Sequence, residues 1–205
     1  MKQKKRVIRK IFWSVLGILV LFVAVVIVNF LIFQKKATVV SKGEPIEVYN
    51  EPQSALLVVD IQEATTGTIS TDQYYIEKSD KLIQRVNMLA ESFHKSGKPV
   101  IFVRSEIRNP LLNLLNDSYA KGSLGAQFDK RLNTTAGIEI VKNRSDSFIN
   151  TKLDSILSSQ QVNEIYMVGL DAAHCVNLTA EAAQNRNYKI LIVEEAVLAK
   201  SDALK

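Results

Sequence analysis

The chain has 205 residues, of which 47% are hydrophobic, and it carries a formal net charge of +5 and one cysteine. A single cysteine excludes an intramolecular disulfide, and most of the excess positive charge precedes residue 11, so composition indicates neither a disulfide-stabilised domain nor a nucleic-acid partner. The basic residues of that segment are Lys2, Lys4, Lys5, Arg6, Arg9 and Lys10.

Residues 11–33 form an uncharged apolar segment, IFWSVLGILVLFVAVVIVNFLIF. Since a helix needs about 20 apolar residues to cross a bilayer, the segment predicts a transmembrane helix. A cleaved signal peptide is the alternative, but its apolar region is shorter, about 7–15 residues, and ends in small residues. The positive-inside rule makes residues 1–10 a basic cytoplasmic N-terminus. We therefore expect a single-pass protein of the cell membrane with its globular domain outside.

Residues 34–53 are polar, contain glycine and proline, and are expected to form a linker to one domain at 54–205. In that domain, short apolar runs alternate with segments of helical periodicity, which is typical of βαβ units and a parallel sheet. The predicted strands are 55–60, 99–106, 137–144, 161–170 and 189–197, and the predicted helices are 79–97, with Ser79 or Asp80 as N-cap, and 174–188.

Three chemically reactive side chains lie at or just beyond predicted strand ends: Asp60, Lys142 and Cys175. Such ends meet at one edge of a parallel sheet, where catalytic groups collect. Cys175 would begin a helix, and a helix N-terminus together with a nearby ammonium lowers a thiol pKa, while a carboxylate can carry the proton. Considered individually, each residue also has an ordinary structural explanation: Cys175 as a small buried side chain, Asp60 as a turn residue and Lys142 as a solvated charge.

Three segments resemble the isochorismatase-like hydrolase superfamily: LLVVDIQ at 56–62, KNRSDSF at 142–148 and GLDAAHCV at 169–176. The resemblance implies a Rossmann-like three-layer αβα fold, often assembled into homo-oligomers. It also implies Cys175 as nucleophile, Asp60 as general acid/base and Lys142 as their charged partner.

The turn before the cysteine has a further implied feature. Members of this superfamily usually have a non-proline cis peptide there, which would join Leu170 to Asp171. The resemblance then implies an oxyanion hole formed by the backbone amides of Asp171 and Cys175.

The sequence departs from the metal-dependent nicotinamidases of this superfamily. His94 and His174 are the only histidines, and the second strand ends in VRSE at 103–106. Because these are too few nitrogen ligands for a zinc or iron site, we predict neither a metal nor another cofactor. The segment after Asp60 also lacks the aromatic residue that many relatives have there.

Together these features predict a membrane-anchored cysteine hydrolase that cleaves an amide-like C–N bond of a small molecule through a thioester. The presence of Cys175 argues against the isochorismatases proper, which lack that cysteine. The alternative is a catalytically silent domain of the same fold, tethered to the membrane for binding or interaction, because fold alone does not determine function.

Overall fold

The computed structural model describes residues 2–201. Met1, in the predicted basic N-terminus, and residues 202–205, at the end of the predicted domain, lie outside the described part. The first element is α1, Lys2–Ala37, which contains the predicted span 11–33 and extends beyond it at both ends. Its apolar stretch is not buried within the protein. By length and composition α1 can cross a membrane, a criterion that an N-terminal signal sequence also meets.

Within residues 2–201, five strands and four helices follow α1. In chain order they are β1 Gln53–Val59, α2 Gln73–Lys95, β2 Val100–Ser105, α3 Pro110–Asn113, β3 Ile138–Lys142, α4 Leu153–Ser159, β4 Val162–Leu170, α5 Cys175–Gln184 and β5 Lys189–Leu198.

The strands form one sheet in the order β3-β2-β1-β4-β5, and every pairing is parallel. Central strand β1 is fully buried over residues 55–59, with alternate side chains entering the two cores. One core contains residues of α4 and α5, and the other contains residues of α2. Each buried valine or leucine contributes about 1.5–3 kcal/mol. The predicted three-layer α/β fold is confirmed.

Helix α2 begins earlier than the sequence predicted. Its N-cap is Asp72, whose side chain accepts hydrogen bonds from the backbone N–H groups of Tyr74 and Tyr75 at 3.1 and 3.3 Å. Ser79, a predicted cap, is instead buried within the helix and donates to the Ile76 carbonyl. The carboxylate two residues before Tyr74 satisfies the free N-terminal amides of the helix, so helix formation starts there.

The predicted linker is partly helical and partly packed on the domain. Its first residues, up to Ala37, continue α1, and its last, Gln53, begins β1. Between them, Val40 and Ile46 pack against the core, and the Ser41 N–H donates to Asp146 Oδ2 at 2.8 Å. These contacts join the end of α1 to the domain at a defined place.

Candidate active site

Asp60 directly follows β1, at the carboxyl edge of the sheet. Its backbone has φ 53°, and its N–H donates to the Val103 carbonyl of β2 at 2.9 Å. The carboxylate accepts a hydrogen bond from Ser105 Oγ at 2.9 Å and pairs with Lys142 Nζ at 2.8 Å. Both carboxylate oxygens are therefore held by neighbouring strands.

Lys142 is the last residue of β3 and is only 1% exposed. Its Nζ also donates to the Ser145 carbonyl at 3.0 Å. Burial alone would lower the pKa of this ammonium, but the negative charges of Asp60 and Cys175 outweigh that effect and raise the pKa to about 12. Lys142 is thus a fixed positive charge beneath the site.

Cys175 is the first residue of α5 and follows the turn that leaves β4. At Gly169, β4 runs so close to β1 that a Cβ would lie 2.1 Å from the Val59 carbonyl oxygen, and φ is +110°, so only glycine fits. The peptide between Leu170 and Asp171 is cis, as the family resemblance implied. This turn brings the thiol within side-chain hydrogen-bonding reach of both Asp60 and Lys142.

The thiol pKa differs from the sequence-based expectation. Burial and the Asp60 carboxylate raise the pKa of Cys175 to about 11, and the opposing effect of Lys142 is smaller. The expected lowering was wrong because burial of the thiol, the largest effect, and the adjacent Asp60 carboxylate together outweigh the stabilisation of a thiolate by Lys142. At neutral pH the resting side chain is therefore a neutral thiol beside a carboxylate.

The turn also exposes backbone donors. Among the described residues, no hydrogen bond is formed by the N–H groups of Asp171 and Cys175, whereas those of Ala173 and His174 have acceptors within the turn. The Asp171 carboxylate accepts from the Ala173 N–H at 2.7 Å and from the Tyr75 hydroxyl. Burial, together with this second contact, raises the pKa of Tyr75. The carboxylate is thus bound on both oxygens.

A cavity of about 280 Å³ opens above these groups. Asp60, Asp171 and Cys175 lie in its wall, and two tyrosines supply aromatic surface. Burial, together with the negative charges of Asp60 and Cys175, raises the pKa of Tyr119, so its hydroxyl stays protonated. Tyr75 and Tyr119 thus provide the aromatic wall that the sequence lacks directly after Asp60. The remaining lining residues are Phe33, Ala37, Thr65, Ser105, Glu106, Ile107, Asn143, Arg144, Ser145 and Leu170.

Three supporting residues were not identified from the sequence. Ser105 holds Asp60, and Gln62 ties β1 to β2 by donating to the Ser105 carbonyl and accepting from its N–H at 3.0 and 2.8 Å. Thr65 Oγ1 donates to the Asp60 carbonyl at 3.0 Å. Gln62 lies in the motif that begins with Asp60, and this motif could have identified it from the sequence. No sequence motif pointed to Ser105 or Thr65.

No group of three or more metal-ligating side chains lies within residues 2–201. His94, on α2, and His174, before α5, are both exposed, and neither belongs to the cavity wall. At the end of β2, Glu106 pairs with Arg104 at 2.7 Å.

Comparison with known proteins identifies relatives for the domain. The model of the isochorismatase domain matches residues 54–205. The isochorismatase family protein YrdC of Bacillus subtilis is 24% identical over 152 residues, covering 73% of this chain and 75% of that protein. The N-carbamoylsarcosine amidase of an Arthrobacter species is 26% identical over 158 residues, covering 68% of this chain and 58% of the amidase.

Solved structures agree with this relationship. The crystal structure of N-carbamoylsarcosine amidase from Thermoplasma acidophilum superposes with a TM-score of 0.63 at 30% sequence identity. The match covers 73% of this chain and 86% of that one.

Proposed function

The chain belongs to the isochorismatase family, and on that premise we propose that it is a membrane-anchored cysteine hydrolase that cleaves an amide-like C–N bond of a small molecule. The observation that carries the proposal is that Cys175 and Asp60 line one cavity, with Lys142 paired to Asp60 beneath it and two unpaired backbone N–H groups beside the thiol. This combines a nucleophile, a proton acceptor, a fixed cation and an oxyanion hole.

The first half of the reaction forms a thioester. Because the resting thiol is neutral, its proton passes to the Asp60 carboxylate as Sγ attacks the amide carbon. The oxygen, which becomes negative, accepts hydrogen bonds from the N–H groups of Asp171 and Cys175. Asp60 then gives the proton to the leaving nitrogen as the C–N bond breaks. The products of this half are a free amine or ammonia and an acyl group on Cys175.

The second half uses water. Asp60, ionised again, removes a proton from a water molecule that attacks the thioester, and the proton returns to Sγ as the acid product leaves. Lys142 keeps its charge throughout because its raised pKa is far above neutrality. Its role is to hold the Asp60 carboxylate in place beside Cys175.

The membrane anchor is the second part of the proposal. It is supported by the uncharged segment 11–33 within α1, whose most apolar window is not buried within the protein. With the basic residues cytoplasmic, the domain lies on the outer side. Protease added to intact cells should then digest the domain. Protection of the domain until the cells are lysed would contradict this topology.

A panel of small amides tests the hydrolase proposal. Full-length protein in detergent is incubated with carbamoyl, ureido and simple carboxamide compounds, and released ammonia or amine is measured, with Cys175→Ala as the matched control. We expect at least one amide to be cleaved by wild type only. Cleavage by neither protein across the panel would favour the silent binding domain.

Labelling of the cysteine by a thiol reagent does not separate these alternatives. A silent domain would have an unreactive thiol, but a thiol whose pKa is raised to about 11 is also mostly protonated at neutral pH in an active enzyme. Turnover is therefore the measurement that distinguishes them.

A further inference from the structure

The end of α1 forms part of the wall of the catalytic cavity. Phe33 and Ala37 line the same cavity as Cys175. Both lie on one helical face with Asn29, since residues four apart are neighbours on a helix. That face contacts the domain by two hydrogen bonds, from Asn109 Nδ2 to Asn29 Oδ1 at 2.6 Å and from the Ser145 N–H to the Ala37 carbonyl at 3.4 Å.

This docking places the cavity at the membrane surface. A helix rises about 1.5 Å per residue, so the apolar segment 11–33 is about 35 Å long and its last turn lies near the outer boundary of a hydrocarbon core about 30 Å thick. Phe33 ends that segment, and Ala37 follows one turn later. The cavity entrance beside them therefore lies at the level of the lipid headgroups.

A loop beside α1 carries surface suited to the same environment. α3 packs against α1 and is followed by Leu114 and Leu115, which are 68% and 63% exposed. Lys36, Arg108 and Arg144 line the groove between this loop and α1. Exposed apolar side chains next to cations are typical of protein surfaces that enter the lipid interface.

We propose that the substrate is an acyl amide with a long apolar chain, taken from the bilayer surface, whose chain lies against Phe33 and continues along α1. The proposal rests on the hydrolase function proposed above. At about 280 Å³ the cavity lies at the lower limit of common ligand pockets, so it holds the amide and the first carbons and leaves the rest of the chain outside.

The chain is assigned to the acyl side for a chemical reason. After the C–N bond breaks, the amine leaves while the acyl group stays bound to Cys175 until water attacks. An apolar wall that holds the chain is therefore useful through both steps only on the acyl side.

A chain-length series tests this assignment. Full-length protein in phosphatidylcholine vesicles is supplied with acyl p-nitroanilides from acetyl to dodecanoyl, and kcat/KM is measured from p-nitroaniline release. Each buried methylene can contribute up to about fourfold, so we expect kcat/KM to rise at least about tenfold across the series. Phe33→Ala should lower the dodecanoyl-to-acetyl ratio at least about tenfold, chiefly through KM, and Phe33→Leu should restore most of it.

Phe30→Ala is the matched control. Phe30 lies on the same helix, is 42% exposed and does not line the cavity, so its variant should keep the wild-type ratio. Equal kcat/KM at all chain lengths, or equal losses in the Phe33 and Phe30 variants, would overturn the assignment while leaving the hydrolase function intact. Absence of turnover at every length would also overturn this substrate class, and the panel of small amides then decides separately on the hydrolase function.

Discussion

Replacing Lys142 by methionine isolates the buried ion pair of the site. The Lys142 side chain is fully buried, that of Asp60 is 9% exposed, and Nζ lies 2.8 Å from Oδ2. Lys142→Met keeps most of the side-chain volume but leaves a buried carboxylate with Ser105 as its remaining strand partner. Breaking a buried pair from one side costs about 3–5 kcal/mol, which corresponds to a fall in Tm of about 6–20 °C for a domain of this size.

Thermal unfolding of the full-length protein in detergent, followed by near-ultraviolet circular dichroism, measures this loss. Lys189→Met is the control, because Lys189 pairs with Glu164 at 2.6 Å but is 71% exposed, and such a pair contributes at most about 1 kcal/mol. The double variant Lys142→Met with Asp60→Asn should recover part of the loss, since no charge is then left unpaired. Equal Tm changes in the Lys142 and Lys189 variants would refute the argument. So would a double variant whose loss of Tm equals the sum of the losses in the two single variants.

Three further predictions concern the same protein. Because the pKa of Cys175 is raised from 9.0 to about 11, the folded state retains a proton that the unfolded state loses between these pH values. The resulting stabilisation is complete below pH 9 and is lost as the pH rises to 11. In alkaline unfolding titrations, Cys175→Ala should not show this loss of stability. Activity toward a verified amide should survive treatment with a chelator, and loss reversed by one divalent ion would contradict the metal-free mechanism. Deletion of residues 1–34 should give a soluble, folded domain, since its core strands begin at Gln53, and a truncated protein that pelleted with membranes would contradict the single anchor.

Much of the fold was predictable because local sequence patterns determine it. The run of apolar residues at 55–59 is buried on both faces of the sheet, as continuous hydrophobicity predicts. Helix α2 was recognised from its 3.6-residue period, but the polar stretch EKSDK at 77–81 interrupts that period, so the Asp72 cap was missed. The strand order and the short helices α3 and α4 depend on tertiary packing, which a single sequence does not encode locally.

The sequence predicted which residues meet at the candidate site, but it did not predict how their charges affect one another. Strand ends place Asp60, Lys142 and Cys175 at one edge of the sheet. The thiol pKa, however, depends on whether the carboxylate or the ammonium dominates, and that balance follows from distances and burial. Phe33 was assigned to the lipid because it ends an apolar segment; its place in the cavity follows only from the docking of α1.

The function of Cys175 is the central claim, and one measurement tests it most directly. Wild-type protein is mixed with a verified amide substrate, quenched in acid during turnover and analysed by mass spectrometry. Since Cys175 is the only cysteine, a thioester adduct has a single location. We expect an added mass equal to the acyl group on the peptide containing Cys175, and no turnover by Cys175→Ala. Turnover of the same amide by Cys175→Ala at a rate near that of wild type would contradict the account.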